Sequence, residues 1–363
     1  MLRVFNQIID RYVIHETSKP LIAISSLLVA LFASYSSAHL LTQAADGLLP
    51  YDTVAKLIFL KTLIATEDLI PVSLYLAVVI GLGRLYSDNE MTAFFASGIS
   101  EMRILGSILR QSILIAILVG SLSLFIRPWA YQHTYSLTDE AAAAFSLDKM
   151  EANRFYVGQE GDEVIFAEQI DHHEDRMRNV FFSSRQGENV TLVIYAQHAF
   201  KPRQNPGEPR TLVFLQGRGY LLDRKGTRDL VIKFDRMNIK LDEMRKSAVD
   251  RSKMTATDAL FGSQDPQAIA ELQWRLFRPF STVLLGLLGV PLSRARPRQG
   301  RFTRAAIAVM VYAVYYNLCV IAESWVRDGT VGPIPGLWWP DALLATLLLV
   351  LLVGPTASRH FAR

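Results

Sequence analysis

Three apolar runs near the start of the chain and three near its end, parted by a long stretch that holds none, set the frame into which this sequence must fold. A helix that crosses the hydrocarbon core needs about 20 apolar residues, because each residue advances it only about 1.5 Å through a layer about 30 Å thick. Leu21–Leu41, opened by Pro20, is the first such run, and Ile104–Ile126, stopped by Arg127-Pro128, is the third. After the gap come Leu276–Leu292, Ala305–Glu323 and Leu337–Val353. The second run, Val54–Leu85, is too long for one straight crossing and carries Lys61, Glu67, Asp68 and Pro71. Those residues predict a break: Asp68 caps a new helix, Pro71 falls in its first turn, and the crossing proper is Leu69–Leu85. Glu67 and Asp68 are then either a functional carboxylate pair or two acids at the outer end of a span. Half of the 363 residues are hydrophobic, which suits a membrane protein with a substantial polar part.

From Trp129 to Gln264 the pattern changes to short alternating segments: Glu163–Phe166, Asn179–Phe182, Thr191–Tyr195, Thr211–Leu215, Gly219–Leu222 and Leu230–Phe234. Turn residues separate them, among them Gln186-Gly187, Asn205-Pro206-Gly207 and Lys225-Gly226. Period-two alternation between turn signals predicts an all-β domain. The chain therefore divides into a first membrane part over residues 1–128, a β domain over 129–265 and a second membrane part over 266–363. The fold class is membrane α-helical, with six transmembrane helices, plus one all-β domain.

The net charge of +4 is small, so the placement of basic residues decides orientation. Residues 2–13 read as a surface helix with Leu2, Phe5, Ile9 and Val13 on one stripe. Between spans four and five lie Arg294, Arg296, Arg298, Arg301 and Arg304, and the C-terminal stretch adds Arg359, His360 and Arg363. Six spans put all of these on one side, which the positive-inside rule makes cytoplasmic. The β domain falls on the other side, as does the loop flanked by Trp325, Trp338 and Trp339. A β domain outside the cell membrane in a chain whose single cysteine, Cys319, excludes an internal disulfide suggests a bacterial periplasm. No cleavable signal peptide is expected, since Asp10 and Glu16 precede the first run.

Arg84–Arg103, between spans two and three, is too polar to cross a bilayer. Ser87 or Asp88 is placed to cap a short helix, Glu90 falls in its first turn, and Gly98 ends it over residues 87–98. Met91, Phe94 and Phe95 share a face at i, i+3, i+4 spacing. Two readings stay open: a loop helix resting on the head groups, or a docking helix that offers an acid and a Phe/Met face to a soluble partner.

Catalytic motifs do not turn up. The sequence holds no Gly-Lys-Ser/Thr phosphate loop, no His-Glu-x-x-His and no Gly-x-Ser-x-Gly, so no catalytic residue is assigned. His172-His173-Glu174-Asp175 reads as a solvated turn in preference to a metal site, because adjacent residues on an extended chain point apart. His39 is the ionisable residue near the outer end of span one. Tyr312, Tyr315 and Tyr316 share a face of span five with Asn317 nearby, either as packing rings or as polar tips along a lipid path.

The pattern resembles a known family, the lipopolysaccharide export permeases LptF/LptG. Glu271-Leu272-Gln273-Trp274-Arg275, Pro279, Gly289 to Arg294 and Pro297 to Phe302 resemble its F-type subunit more than its G-type. Arg11-Tyr12 with Glu16, Asp46-Gly47, Pro71, Gly83 to Tyr86, Glu90 and Ser97 to Ser100 also match the family pattern. The resemblance implies a jellyroll-like β domain and an inner-membrane exporter that passes lipopolysaccharide to a periplasmic β-jellyroll bridge. It implies a G-type permease subunit, a dimeric cytoplasmic ATPase and a single-span periplasmic jellyroll protein as partners, and no nucleic acid. ATP and Mg would sit on that ATPase, with no cofactor on this chain. It assigns Glu90, Met91, Phe94, Phe95 and Gly98 to ATPase coupling, and spans one and five to the lipid cavity, with Ser36, His39, Tyr312 and Tyr316 as candidates. Span one lacks the basic residues that the family often carries there, with Ser36, Ser37 and His39 in that region instead. A paralogous permease for another lipid and a membrane-anchored periplasmic scaffold are the alternatives. A scaffold needs one anchor, not six spans, and an ion-driven carrier would show broken helices with midplane charges in both halves.

Overall fold

The computed structural model describes residues 2–45, 51–144, 152–157, 163–171, 176–186, 190–200, 202, 211–223, 229–240, 248–294 and 301–360. The chain divides into two units, one of residues 1–39, 55–136 and 252–363, the other of residues 40–54 and 137–251.

The first unit is helical. Its long helices are α1 (Leu2–Ala45), α2 (Tyr51–Ser87), α4 (Glu101–Ser121), α5 (Arg127–Ala144), α8 (Pro266–Ser293), α9 (Arg301–Arg327) and α10 (Trp338–His360). Short helices α3 (Glu90–Ala96), α6 (Ala248–Met254) and α7 (Thr257–Leu260) lie between them. Among the described residues, five stretches are long and apolar enough to cross a membrane, and a sixth apolar helix, Trp338–Val353, is shorter. One core joins α1, α2, α3 and α4 around Val13, Leu82, Met91 and Ile104. A second joins α2, α8, α9 and α10 around Tyr75, Leu288 and Tyr315.

Three breaks expected from the sequence do not occur. The surface helix of residues 2–13 and span one form one helix through Pro20. Proline leaves the carbonyl four residues back without its N–H donor. Here that carbonyl belongs to Glu16, and Gly81 of α2 packs directly against it; a Cβ on Gly81 would come within 2.8 Å of the Glu16 oxygen. Helix α2 likewise runs unbroken through Asp68 and Pro71, so Asp68 caps nothing. Arg127-Pro128 does not stop span three. The helix passes through a π turn at Leu122–Ile126 and continues as α5. The carbonyl freed by Pro128 is that of Leu124, and the Thr257 hydroxyl donates to it at 2.6 Å.

The second unit holds one antiparallel sheet of six strands: β1 (Phe155–Val157), β2 (Glu163–Asp171), β3 (Arg176–Gln186), β4 (Val190–Phe200), β5 (Thr211–Asp223) and β6 (Leu230–Lys240). Each strand pairs with its sequence neighbour, in the order β1 to β6. That is an up-and-down order. The two segments read as Thr211–Leu215 and Gly219–Leu222 are one strand, β5, whose pairing skips only Gln216, at φ 50°. One face buries Ala167, Phe182, Ile194, Phe214 and Phe234.

Candidate functional site

The polar loop after α2 does form a helix, α3, seven residues long. Ser87 and Asp88 do not cap it. Ser87 is the last residue of α2 and donates to the Gly83 carbonyl at 2.9 Å, and Asp88 pairs with Arg84 at 3.4 Å. Asn89 takes the N-cap position at φ 61° without a side-chain cap. At the other end Gly98 has φ 88°, Gly98 N–H donates to Phe95 and Ile99 N–H to Phe94, which is a Schellman closure.

Two of the three residues of the α3 apolar stripe, Met91 and Phe94, point inward. Met91 is 1% exposed, within the core of α1, α2 and α4, and Phe94 packs beside it. The Phe94 ring meets the Tyr12 ring edge-on at 6.3 Å. The outward surface is Thr92, Ala93, Phe95 and Ala96. Glu90 is half-buried and accepts a hydrogen bond from the Tyr12 hydroxyl at 2.6 Å. Helix α1 is in turn held to α4 by Asp10, which receives Arg103 at 3.0 Å, Arg110 at 2.8 Å and Ser107 at 2.8 Å. Glu16 binds Lys19 at 2.7 Å and Arg84 at 3.3 Å. The short helix is therefore bonded to α1, which is bonded to α4.

Of the five arginines between spans four and five, Arg294 is engaged: its Nε donates to Glu101 at 2.8 Å and its Nη1 to the Leu351 carbonyl at 2.9 Å. Arg296 and Arg298 lie outside the described residues, and Arg301 and Arg304 fall in the first turn of α9. Ser36 is buried and His39 exposed on α1. Tyr312 and Tyr316 stack at 6.0 Å and are half-buried, whereas Tyr315 is buried and donates to Asp341 at 2.6 Å. The His172–Asp175 turn lies outside the described residues.

A second assembly was not read from the sequence. Glu67, Asp68, Arg127, Glu271, Arg275 and Arg278 gather where α2, the π turn, α5 and α8 meet. Glu67 accepts from Ser123 at 2.8 Å and from Arg127 at 3.1 Å. Arg127 reaches Glu271 at 2.9 Å, and Glu271 also receives Arg275 at 2.9 Å. Arg278 pairs with Asp68 and lies 3.9 Å over the Trp274 ring. Three acids thus face three bases. Arg275 is 0% exposed yet all its N–H donors are used: Nη1 on Thr255 and Thr257, Nη2 on Ser252 and Lys253. The π turn brings Ser123 and Arg127 to the same acid, a local irregularity of the sort often found at functional positions. The signal available in the sequence was a set of charges set inside or beside apolar runs; what was missing was their pairing.

Span-length helices bonded through buried charges, a short helix seated among them and an antiparallel sheet in the same chain define a multi-pass membrane protein with an attached β domain. Residues 11–353 match the family model of the lipopolysaccharide export system permease LptF/LptG. The chain is also similar to the lipopolysaccharide export system permease protein LptF of Escherichia coli (strain K12), with 25% identity over 357 residues, 96% of this chain and 95% of that protein. The LptF of Shigella flexneri matches equally. The chain belongs to the LptF/LptG family and is a non-catalytic permease of lipopolysaccharide export.

Proposed function

We propose that this chain is the F-type half of an ABC-type exporter that draws lipopolysaccharide from the inner membrane and hands it, through its β domain, to a periplasmic jellyroll bridge. Residues 1–128 and 266–363 form its membrane part and residues 129–265 its periplasmic domain, with both termini and the arginine loop in the cytoplasm. A G-type permease stands beside it, a dimeric ATPase that binds ATP and Mg docks on the outward face of α3, and a single-span jellyroll protein continues the lipid path. The observation that carries this reading is the family match along nearly the whole chain, with a β sheet between two sets of apolar helices.

Burial supports the lipid path. Only 6% of the apolar window of α1 and 22% of that of α9 are buried, against 50% for α2, 44% for the span beginning at Glu101 and 61% for α8. Those two helices have the most apolar surface left for lipid or for a second permease. On them Ser36, His39, Tyr312 and Tyr316 are the polar groups assigned to the lipid.

Purification of the tagged chain from mild detergent should bring with it a second permease of similar layout, an ATPase and lipopolysaccharide, read by mass spectrometry of protein and lipid. Recovery alone, or with a different lipid and no ATPase, would refute the reading. The topology has its own check. A tag placed in the segment between β4 and β5 should be cut by protease added to the periplasm, and a tag after Arg363 should survive; the reverse pattern would remove the six-span orientation.

A further inference from the structure

One row of side chains crosses all six strands on the face opposite the β core. Phe155, Phe166, Phe181, Tyr195, Arg218 and Lys233 are successive register partners from β1 to β6. The first four are aromatic and form two ring pairs, with centroids 4.6 Å apart for Phe155–Phe166 and 5.0 Å for Phe181–Tyr195. The last two are cations placed directly opposite each other, an arrangement that destabilises a sheet unless something negative lies between or above them.

Beside this row runs a second. In every ladder from β2 to β6 the pairing skips one position, and those positions are Glu168, Asn179, Gln197, Gln216 and Asp235. Asn179 and Gln216 have positive φ, 48° and 50°. The inside–outside alternation slips there, so each strand shows two successive residues away from the core, as at Asn179 and Arg178 between buried Val180 and Met177. The slip sets a line of acids and amides next to the aromatic row. Both rows, Phe155 apart, line one open cavity of about 750 Å³ with Tyr220 at its side. Asn179 donates to Glu168 at 2.6 Å. No hydrogen bond or ion pair to a described residue engages the side chains of Gln197, Gln216, Asp235, Arg218 or Lys233.

Flat apolar rings, the Gln197 and Gln216 amides, which both give and take hydrogen bonds, the Asp235 carboxylate, which takes them, and two cations set opposite each other are complementary to one ligand chemistry: a sugar ring with C–H faces, many hydroxyls and an anionic substituent. We propose that this outward face of the β domain binds the phosphorylated saccharide portion of the exported lipid, with the phosphate over Arg218 and Lys233 and the sugar faces on Tyr195 and Phe181. The proposal rests on the export reading and adds to it a site outside the apolar face of the sheet.

The test uses the full-length chain in lipid nanodiscs and, as probe, lipopolysaccharide stripped of its acyl chains, followed by calorimetry and by saturation-transfer NMR. The probe should bind saturably. Tyr195→Ala and Arg218→Ala should each weaken it at least tenfold, while Tyr195→Phe, which keeps the ring, should bind as the parent does. Removing the phosphates from the probe should weaken it on the parent chain and abolish the effect of Arg218→Ala. Binding of intact lipopolysaccharide with none by the stripped probe would overturn this site and leave the export reading standing. Failure of both ligands would remove both. An acidic peptide bound with the same dependence on Tyr195 and Arg218 would overturn the proposal in favour of a protein partner.

Discussion

Arg127→Gln should destabilise the membrane unit by about 3–5 kcal/mol, the range for a buried ion pair that loses one partner. Arg127 is 7% exposed and serves two acids, Glu67 and Glu271, which are 1% and 3% exposed. Without it Glu271 keeps Arg275, but Glu67 keeps only the Ser123 hydroxyl. Low-dielectric surroundings make that orphaned charge expensive. The double variant Glu67→Gln/Arg127→Gln should recover much of the loss, because it leaves Glu271 with Arg275 and Asp68 with Arg278, each acid with its own base. The checking measurements are the amount of full-length protein in the membrane and the apparent thermal midpoint in detergent. An Arg127→Gln chain that accumulates and melts like the parent would show that water reaches the cluster.

The cluster also has a position that gives such a loss a functional reading. Arg127 begins α5, by which the chain leaves the helical unit at Ser136, and Arg275 holds the carbonyls of Ser252, Lys253 and Thr255, where it returns. Gln132 adds a bond to the Met254 carbonyl at 2.8 Å. Outgoing and returning segments are thus bonded to each other and to α8 through one set of charges. Buried ion pairs are weak evidence for net stability; here they fix which segments meet.

What could be read in the sequence, and what could not, divides along sequence separation. Span positions and five of the six strands follow from local periodicity, 3.6 or 2 residues, and that information is contained in each segment. Helix continuity is not local. Pro20 and Pro128 look like breaks until their surroundings are known, and those come from far along the chain: Gly81 packs against the Glu16 carbonyl, and Thr257 donates to that of Leu124. The same holds for charge. Glu67 and Asp68 are conspicuous in an apolar run, and Glu271 and Arg275 stand in a recognisable motif, but Arg127 and Glu271 are 144 residues apart and nothing local pairs them. The stripe of α3 shows the limit in another way: spacing puts Met91, Phe94 and Phe95 on one face, and only packing tells that Met91 and Phe94 point into the core while Phe95 points out.

That inward stripe changes how Glu90 is expected to act. Glu90→Ala should lower lipid release per ATP hydrolysed while leaving the permease folded in the membrane. A carboxylate in the first turn of a helix gains about 0.3–1 kcal/mol from the helix dipole, too little for its loss to disturb transport. Glu90 does more than sit there: it takes the Tyr12 hydroxyl at 2.6 Å. Hydrogen bonds to a charged group contribute about 1.5–3 kcal/mol, and this one ties α3 to α1. If the acid also meets a basic residue of the ATPase, truncation leaves that partner charge unpaired, at a cost of about 2–5 kcal/mol. Tyr12→Phe separates the two contributions, since it removes the internal bond and leaves the acid for the partner. It should lower lipid release per ATP and leave ATPase retention on the purified permease pair unchanged, whereas Glu90→Ala should reduce both. Phe95→Ala, on the outward face, should reduce retention without touching the Tyr12 bond. Two assays on one preparation decide the matter, ATPase retention and lipid released per ATP. Parental values in both for Glu90→Ala would return α3 to a helix that rests on the head groups and transmits nothing.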